Sequence, residues 1–204
     1  MNYLAHIFLA GENPEAQLGG MLGDFIKPGS EPQYSAVILQ EIRLHRMIDT
    51  FTDSHAEVMS AKRRFKKGSR RFSGIILDLL YDHFLASKWN NYSEVSLGEF
   101  TRKFYRYLKT TEFPLPERLQ VIAPELIRLD WLGSYAEYEG FVRSVHGLAQ
   151  RLSKGREEMV AGLDEVQDCF STLQSGFEQF FPELQFFAQS QRSQLAHQIP
   201  SEER

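Results

Sequence analysis

The sequence predicts an all-helical protein that forms a single domain. Leucine occurs 23 times, against 8 valines and 10 isoleucines, and no stretch alternates apolar and polar residues for long, so the propensity for β-strands is low. A chain of 204 residues is long enough to bury one substantial core. Apolar residues at helical spacing, and the capping residues in front of them, therefore define the elements.

The first three helices each follow a residue that is suited to cap a helix. The first helix covers NYLAHIFLA, with Asn2 at the position of its cap. The second begins with Asn13 as N-cap and Pro14 in the first helical position. A third helix is expected from about Ser35 to Thr52.

Two capping boxes mark the helices that come next. The box Ser54–Glu57 is expected to start a fourth helix, and the box Ser96–Glu99 a sixth. Between them, FSGIILDLLYDHFLASKW is a strongly apolar fifth helix. The proline-rich stretch TEFPLPERL is interpreted as a connection within the domain.

The C-terminal part is also predicted to be helical, and Pro182 is expected to end its last long helix. The phenylalanines of FEQFFPELQFF are expected in the core. Residues 1–190 are expected to form one helical domain, and the polar residues 191–204 a disordered tail. Helices are expected near 118–128, 131–152 and 157–181.

Composition and charge exclude several classes of protein. The single cysteine, Cys169, cannot form an intrachain disulfide, and the first residues show no signal-peptide pattern, so we expect a cytoplasmic protein. No apolar run approaches the roughly 18 residues that cross a bilayer, which argues against a membrane protein. The net charge of −4 provides no general affinity for nucleic acid, which requires clustered cations.

The third helix carries titratable side chains beside its apolar stripe. At about 100° per residue, His45, Asp49 and Asp53 share an arc next to Leu44 and Ile48. His45 and Asp49 are four residues apart, so both can reach one ion, or the carboxylate can orient the ring. A solvated His–Asp pair is the alternative, and Asp53 lies where it could instead cap the fourth helix.

The fifth helix repeats this pattern among more apolar residues. Asp78 and Asp82 are also four residues apart, and His83 follows them. A buried carboxylate is unfavourable unless it is paired or binds a cation. Adjacent helical residues point about 100° apart, which argues against Asp82 and His83 as equivalent ligands of one ion. Packing of His83 in the core against a backbone partner is the alternative.

Two further residues extend the set. Asp24 follows Gly20 and Gly23, which would let a helix or a ligand approach closely, and His6 lies in the first helix. Each alone could be structural. Carboxylates and imidazoles from several helices suit a divalent ion such as manganese, which activates water for hydrolysis of a phosphate ester. The ligands expected on this basis are Asp24, His45, Asp49 and Asp82, and His6 and His83 are further candidates.

The basic segment KRRFKKGSRR stands out in this acidic chain. Its ten residues, 62–71, hold seven positive charges, and a continuous helix would place several of them on one face. A solvated surface would explain the pattern. The functional alternative is docking of an acidic partner, because complementary charge speeds encounter and fixes orientation. The expected contacts are Lys62, Arg63, Arg64, Lys66, Lys67, Arg70 and Arg71, with Arg63, Lys66, Lys67 and Arg70 on the shared face.

Four segments, taken in order, resemble the bacterial acyl carrier protein phosphodiesterase family. The resemblance covers about the first 190 residues and is specific when the segments are taken together. The segments are MNYLAHIFLA, GGMLGDFIKP, IRLHRMIDTFTD and LDLLYDHFLASKW, and the similarity continues through FEQFFPEL.

The resemblance implies an all-helical, manganese-dependent enzyme similar to the HD-domain phosphohydrolases. It implies hydrolysis of the phosphodiester that joins phosphopantetheine to a serine of holo acyl carrier protein. Acyl carrier proteins are small and strongly acidic, so the basic segment gains an expected partner. This chain has Asp82–His83 where the HD pattern has a His–Asp pair, which leaves the ligand in that pair open.

Other functions stay open at this point. One is an HD-like phosphohydrolase that acts on a nucleotide or another small phosphodiester, and another is a non-catalytic helical adaptor for an acidic partner. Mg²⁺ and Fe²⁺ are the alternatives to Mn²⁺, and Arg46 is expected to neutralise phosphoryl oxygens. The assignment is metal ligation by Asp24, His45, Asp49 and Asp82, and catalysis by His6, Arg46 and His83.

Overall fold

The structure is a computed structural model that describes residues 1–27, 29 and 34–197. Within these residues the chain forms α-helices, two 3₁₀ turns and no β-strand, which confirms the predicted all-helical class. None of the helices in this part of the chain has both the length and the apolar character that a membrane span requires. The helices are α1 (Tyr3–Leu9), α2 (Pro14–Leu22), α3 (Ala36–Ser54), α4 (Ala56–Arg63), α5 (Ser73–Ser87), α6 (Leu97–Thr110), α7 (Glu117–Arg128), α8 (Trp131–Ser134), α9 (Tyr138–Gln150), α10 (Arg156–Asp168) and α11 (Phe170–His197).

Helices α1, α2 and α3 approach one another closely because two glycines face the contacts. A Cβ atom at Gly19 would lie 2.7 Å from the carbonyl oxygen of Ile38, and one at Gly20 would lie 2.8 Å from that of His6. A side chain at either position would push α2 away from its neighbour. The close contact brings polar side chains of α1 and α3 to the end of α2.

The aromatic part of the core forms where α5 meets α11. The rings of Tyr81 and Phe84 lie 5.3 Å and 5.6 Å from the ring of Phe177. Phe180 and Phe181 of α11 are fully buried beside them. Each aromatic pair stabilises the fold by about 1 kcal/mol beyond the area that it buries. The expected core role of the phenylalanine-rich segment is confirmed for these residues.

The capping residues are partly as expected. Asn13 accepts hydrogen bonds from backbone amides at the start of α2, and Ser96 does the same for α6. The expected box at Ser54 is wrong, because α3 continues through Ser54 and the Nδ1 atom of His55 caps α4. Asn2 occupies the cap position of α1 but makes no capping hydrogen bond there.

The C-terminal helices differ from the sequence-based boundaries. Pro182 lies inside α11, so the expectation that it ends a helix is wrong. The loss of one backbone donor is tolerated where flanking phenylalanines hold the helix on the core. The helix expected over 131–152 is divided into α8 and α9. Residues 191–197 continue α11, and 198–204 lie outside the described residues, so the domain limit at 190 stays a prediction.

Candidate metal centre

Four titratable side chains meet where α1, α3 and the end of α2 converge. His6 Nε2 lies 3.1 Å from Oδ1 of Asp49, and His45 Nε2 lies 3.2 Å from Oδ2 of the same carboxylate. Asp24 follows α2 and places Oδ1 3.6 Å from His45 Nε2. His6, His45 and Asp49 each offer one ligand atom within 4.8 Å of the others. The structure thus brings together three of the expected ligands and His6, which lies among them as a candidate ligand.

Two glycines allow His45 to enter this cluster. A Cβ atom at Gly23 would lie 2.2 Å from the ring of His45, so a side chain there would displace the imidazole. The carbonyl oxygen of Gly20 accepts a hydrogen bond of 2.7 Å from His45 Nδ1. With Nδ1 protonated, the neutral ring presents a lone pair at Nε2, which is the tautomer that binds a metal. The expectation of close approach at these glycines is confirmed, but the carbonyl of Gly20 carried no signal in the sequence.

The two imidazole rings are stacked and buried. Their centroids lie 3.6 Å apart with planes inclined by 16°, and each residue is 2% exposed. Two charged rings at this distance would repel each other, so at most one of the two imidazoles is protonated to the cationic form. Burial, followed by the charge of His45, lowers the pKa of His6 to about 4. His6 is therefore neutral near pH 7.

The Nε2 atom of His45 faces two carboxylates without a hydrogen bond to any described residue. A bare lone pair in this position would be repelled by the oxygens of Asp24 and Asp49, so the atom requires a proton or a cation. Burial alone would lower the pKa of His45, but the two carboxylates outweigh it and raise the pKa to about 9. The histidines in turn hold the pKa of Asp49 far below its usual range, against the effect of burial. A proton held in this way occupies the place of a metal ion.

The donor set fits a divalent ion that keeps open coordination positions. Two imidazole nitrogens and a carboxylate are ligands that Mn²⁺, Fe²⁺ and Zn²⁺ accept. The histidine side chains are buried, whereas those of Asp24 and Asp49 are 40% and 41% exposed. The cluster is thus closed on its imidazole side and open on its carboxylate side. This arrangement leaves room for water and a phosphate oxygen.

The amino group of Met1 lies at the edge of the cluster. It is 2.9 Å from Oδ1 of Asp78 and 3.6 Å from Oδ1 of Asp49. Burial by itself lowers the pKa of this amine, but Asp78 and Asp49 outweigh that effect and raise it to about 10. Asp78 therefore has an ion-pair partner, and α5 is connected to the site through it.

Asp82, the fourth expected ligand, lies outside the cluster of His6, His45 and Asp49. It is fully buried, and its two oxygens accept hydrogen bonds of 2.9 Å and 3.0 Å from the backbone amides of Leu4 and Ala5. These amides belong to the first turn of α1, where no intrahelical partner exists. Burial raises the pKa of Asp82 to about 7, and the two amides oppose this shift. Asp82 holds the helix that carries His6.

His83, which the sequence assigned to catalysis, is buried in the core and lies outside the cluster of His6, His45 and Asp49. Its Nδ1 atom forms a hydrogen bond of 2.8 Å to the carbonyl oxygen of Tyr135. Its ring packs among aromatic side chains, including Tyr138 at 5.7 Å and Phe170 at 6.1 Å. The alternative of a backbone partner in the core is thus what the structure shows.

Arg46 connects α3 to the chain that follows Asp24. Arg46 follows His45 directly in the sequence. Its Nη2 atom donates a hydrogen bond of 3.0 Å to the carbonyl oxygen of Ile26. This contact fixes the segment that carries Asp24. The expected contact of Arg46 with phosphoryl oxygens stays a prediction.

The basic segment is an ordered loop rather than one helical face. Helix α4 ends at Arg63, so the shared face predicted for a longer helix is wrong. Phe65 and Ser69 are buried, and Glu165 accepts hydrogen bonds from the Ser69 hydroxyl and the Lys66 amide at 2.6 Å and 3.1 Å. These anchors turn the cationic side chains outward. The exposed ones are Arg63, Arg64, Lys66, Lys67, Arg70 and Arg71.

The basic segment begins one helical turn from the candidate centre. Lys62 Nζ lies 2.7 Å from Oδ1 of Asp53, and Asp53 is four residues beyond Asp49 on α3. Four residues of helix rise about 6 Å. Asp53 is therefore a surface partner of Lys62, and the alternative that it caps α4 is wrong. Lys62, the first cation of the segment, thus lies about one helical turn from Asp49.

Comparison with known proteins gives one consistent result. Residues 1–184 match the family model described as acyl carrier protein phosphodiesterase. A protein of that name from Photorhabdus laumondii is 31% identical over 183 residues, which is 89% of this chain and 92% of the relative. Others from Klebsiella pneumoniae and Escherichia coli O6:H1 are each 32% identical, over 94% and 90% of this chain and 100% and 95% of their own lengths. No solved structure matches the chain.

Proposed function

The chain belongs to the acyl carrier protein phosphodiesterase family, and we propose that it hydrolyses the phosphodiester between phosphopantetheine and a serine of holo acyl carrier protein. In this reaction the oxygen of water forms a bond to phosphorus, and the bond from phosphorus to the serine oxygen breaks. The serine oxygen takes up a proton. The products are apo carrier protein and free phosphopantetheine.

The observation that carries the proposal is the convergence of His6, His45 and Asp49, with Asp24 beside them. A phosphodiester is an anion, and its hydrolysis requires positive charge close to the phosphoryl oxygens. Among the described residues this is the cluster of histidine and carboxylate side chains whose atoms could hold one ion.

A divalent ion bound by these side chains would supply Lewis acidity toward water and the phosphoryl oxygens. The chain itself holds the ligand set in position. Gly20 fixes the tautomer of His45, and Asp49 contacts both imidazoles. Arg46 is assigned to the phosphoryl oxygens because it follows His45 on α3 and contacts the segment after Asp24 through the carbonyl oxygen of Ile26.

Manganese is the ion that we assign to the site. Two imidazole nitrogens among few ligands are unusual for Mg²⁺, which prefers oxygen atoms and retained water. Mn²⁺ accepts both imidazole and carboxylate, and so does Fe²⁺. The donor set therefore favours Mn²⁺ or Fe²⁺ over Mg²⁺.

The basic segment is assigned to docking of the acidic carrier protein. Arg63, Arg64, Lys66 and Lys67 form no ion pair within the described part of the chain and are exposed. Free cations on an anchored loop attract an acidic partner without a cost for breaking existing pairs. Since Lys62 lies beside Asp53, a carrier docked here would bring its modified serine toward Asp49.

The proposed reaction is tested by mass spectrometry of the carrier protein. We expect holo acyl carrier protein, incubated with the enzyme and Mn²⁺, to lose the mass of phosphopantetheine. A chelator should prevent the loss. An unchanged carrier mass in both samples, from folded enzyme, would refute the proposal.

A further inference from the structure

A second feature of the surface lies beside the first residues of the chain. A cavity of about 500 Å³ opens between the first residues of the chain and helices α7, α8 and α9. Its walls are largely apolar and include Leu79, Ile122, Trp131 and Leu148. This volume lies within the range of sites that bind small organic molecules.

Three arginines line this cavity. Arg118, Arg143 and Arg151 are exposed, so they lie at its opening. None of the three forms an ion pair with any residue that the structure describes. Three uncompensated guanidinium groups around one apolar cavity, in a protein of net charge −4, favour an elongated ligand that carries phosphate.

The cavity adjoins the candidate metal centre. Tyr3 lines the cavity and lies one turn before His6 on α1. Its ring stacks on that of Phe25 at 5.8 Å, and Phe25 follows Asp24 directly. The guanidinium of Arg118 lies 5.3 Å above the same Phe25 ring. A phosphate bound at the metal centre beside Asp24 would therefore lie on the side of the centre that faces Arg118.

We propose that this cavity binds the phosphopantetheine arm of the carrier protein, an inference that rests on the proposed function. Arg118 contacts its phosphate at the boundary with the metal centre, Arg143 and Arg151 contact its carbonyl oxygens, and the apolar walls pack against its dimethyl-substituted carbon chain. The basic segment and the cavity then flank the cluster of His6, His45 and Asp49. The carrier lies on one side, the arm on the other, and the scissile bond between them.

Gly147 on α9 provides a variant that fills the cavity without disturbing the fold. It lines the cavity, and a Cβ atom there would have no neighbour within 4 Å. Gly147→Trp should place an indole in the space of the arm. The matched control is Val121→Trp, which adds the same ring on α7 where the residue is 72% exposed and outside the cavity.

The test is calorimetric titration of the full-length enzyme with free 4′-phosphopantetheine. We expect Gly147→Trp to weaken binding by about tenfold or more, and Val121→Trp to bind like the wild type. Arg118→Gln should weaken binding of 4′-phosphopantetheine but not of pantetheine, which lacks the phosphate. Its control is Arg128→Gln, also on α7, where the arginine pairs with Glu125 away from the cavity.

The outcomes separate this inference from the proposed function. Equal affinity of Gly147→Trp and Val121→Trp for 4′-phosphopantetheine would overturn the cavity assignment even if holo carrier protein is cleaved. Circular dichroism checks that both variants are folded. Tighter binding of inorganic phosphate or a nucleotide than of 4′-phosphopantetheine would overturn it as well. Failure to cleave holo carrier protein would refute the proposed function, whatever the titrations show.

Discussion

The imidazoles of His6 and His45 stack 3.6 Å apart, and both direct Nε2 toward the carboxylate of Asp49. Residues from two helices are thus fixed around one point before any ion binds. Because the two rings cannot both be charged, the pair is suited to neutral imidazole ligands.

Replacement of Asp49 should abolish metal binding. In Asp49→Asn the carboxylate that contacts both histidines is lost. We expect activity on holo carrier protein to fall by more than about 100-fold, a larger loss than replacement of a residue that only supports a ligand causes. Elemental analysis of the purified protein and carrier mass give the two readouts. Asp53→Asn, one turn along α3 on the exposed surface, is the control and should retain metal and activity. Full manganese content in Asp49→Asn would contradict the site.

Replacement of Asp82 should affect stability and not the metal. An asparagine can accept only one of the two amide hydrogen bonds from Leu4 and Ala5, and the other amide is left buried and unpaired. We expect the free energy of unfolding of Asp82→Asn to fall by about 1–3 kcal/mol. Urea unfolding measures this loss, and the folded variant should bind Mn²⁺ as the wild type does. Loss of the metal from a stable Asp82→Asn protein would restore Asp82 as a ligand.

The metal-free protein should become less stable as the pH rises. The pKa of His45 is about 9 in the fold, above the ordinary 6.5, so its proton stabilises the fold fully below pH 6.5. The contribution is lost as the pH rises from 6.5 to 9 and amounts to the order of 3 kcal/mol. Urea unfolding in the presence of a chelator measures it across this range.

The matched variant for this pH dependence is His45→Gln, which should lose the fall in stability between pH 6.5 and 8, below the range in which the Met1 amine, with its pKa raised to about 10, also contributes. Bound Mn²⁺ should also remove it, because the ion replaces the proton. A wild-type curve that stays flat without metal, or one that is identical in His45→Gln, would show that His45 carries no such proton.

Charge reversal in the basic segment should weaken docking and leave the chemical step intact. We expect the double variant Lys66→Glu/Lys67→Glu to raise KM for holo carrier protein by about tenfold, with kcat little changed. The dependence of KM on ionic strength should become weaker. Steady-state kinetics at several salt concentrations test this. The control is Lys103→Glu/Lys109→Glu, the same charge change on exposed positions of α6.

Kinetics also distinguish the other functions considered. Preferred hydrolysis of small phosphodiesters, unaffected by neutralising Lys62, Arg63, Lys66 and Lys67, would favour a small-molecule phosphohydrolase. A helical adaptor would bind its acidic partner equally well after Asp24→Ala or Asp49→Ala and would contain no metal.

Local spacing predicted the part of the site that lies on one helix. His45 and Asp49 are neighbours on any α-helix, and the glycines before Asp24 indicated close approach, so both expectations hold. Asp82 and His83 showed the same polar signal in an apolar helix, but their partners are backbone groups of Leu4, Ala5 and Tyr135. Every residue has such backbone groups, so sequence patterns cannot indicate which of them will meet a buried acid or imidazole.

The measurement that tests the central claim most directly is a crystal structure with Mn²⁺ and data collected across the manganese absorption edge. The anomalous signal locates the ion independently of the protein coordinates. We expect one peak within about 2.5 Å of His6 Nε2, His45 Nε2 and an Asp49 oxygen, with Asp24 bound directly or through water. A peak beside Asp82 or His83, or no peak in crystals of active enzyme, would contradict the account.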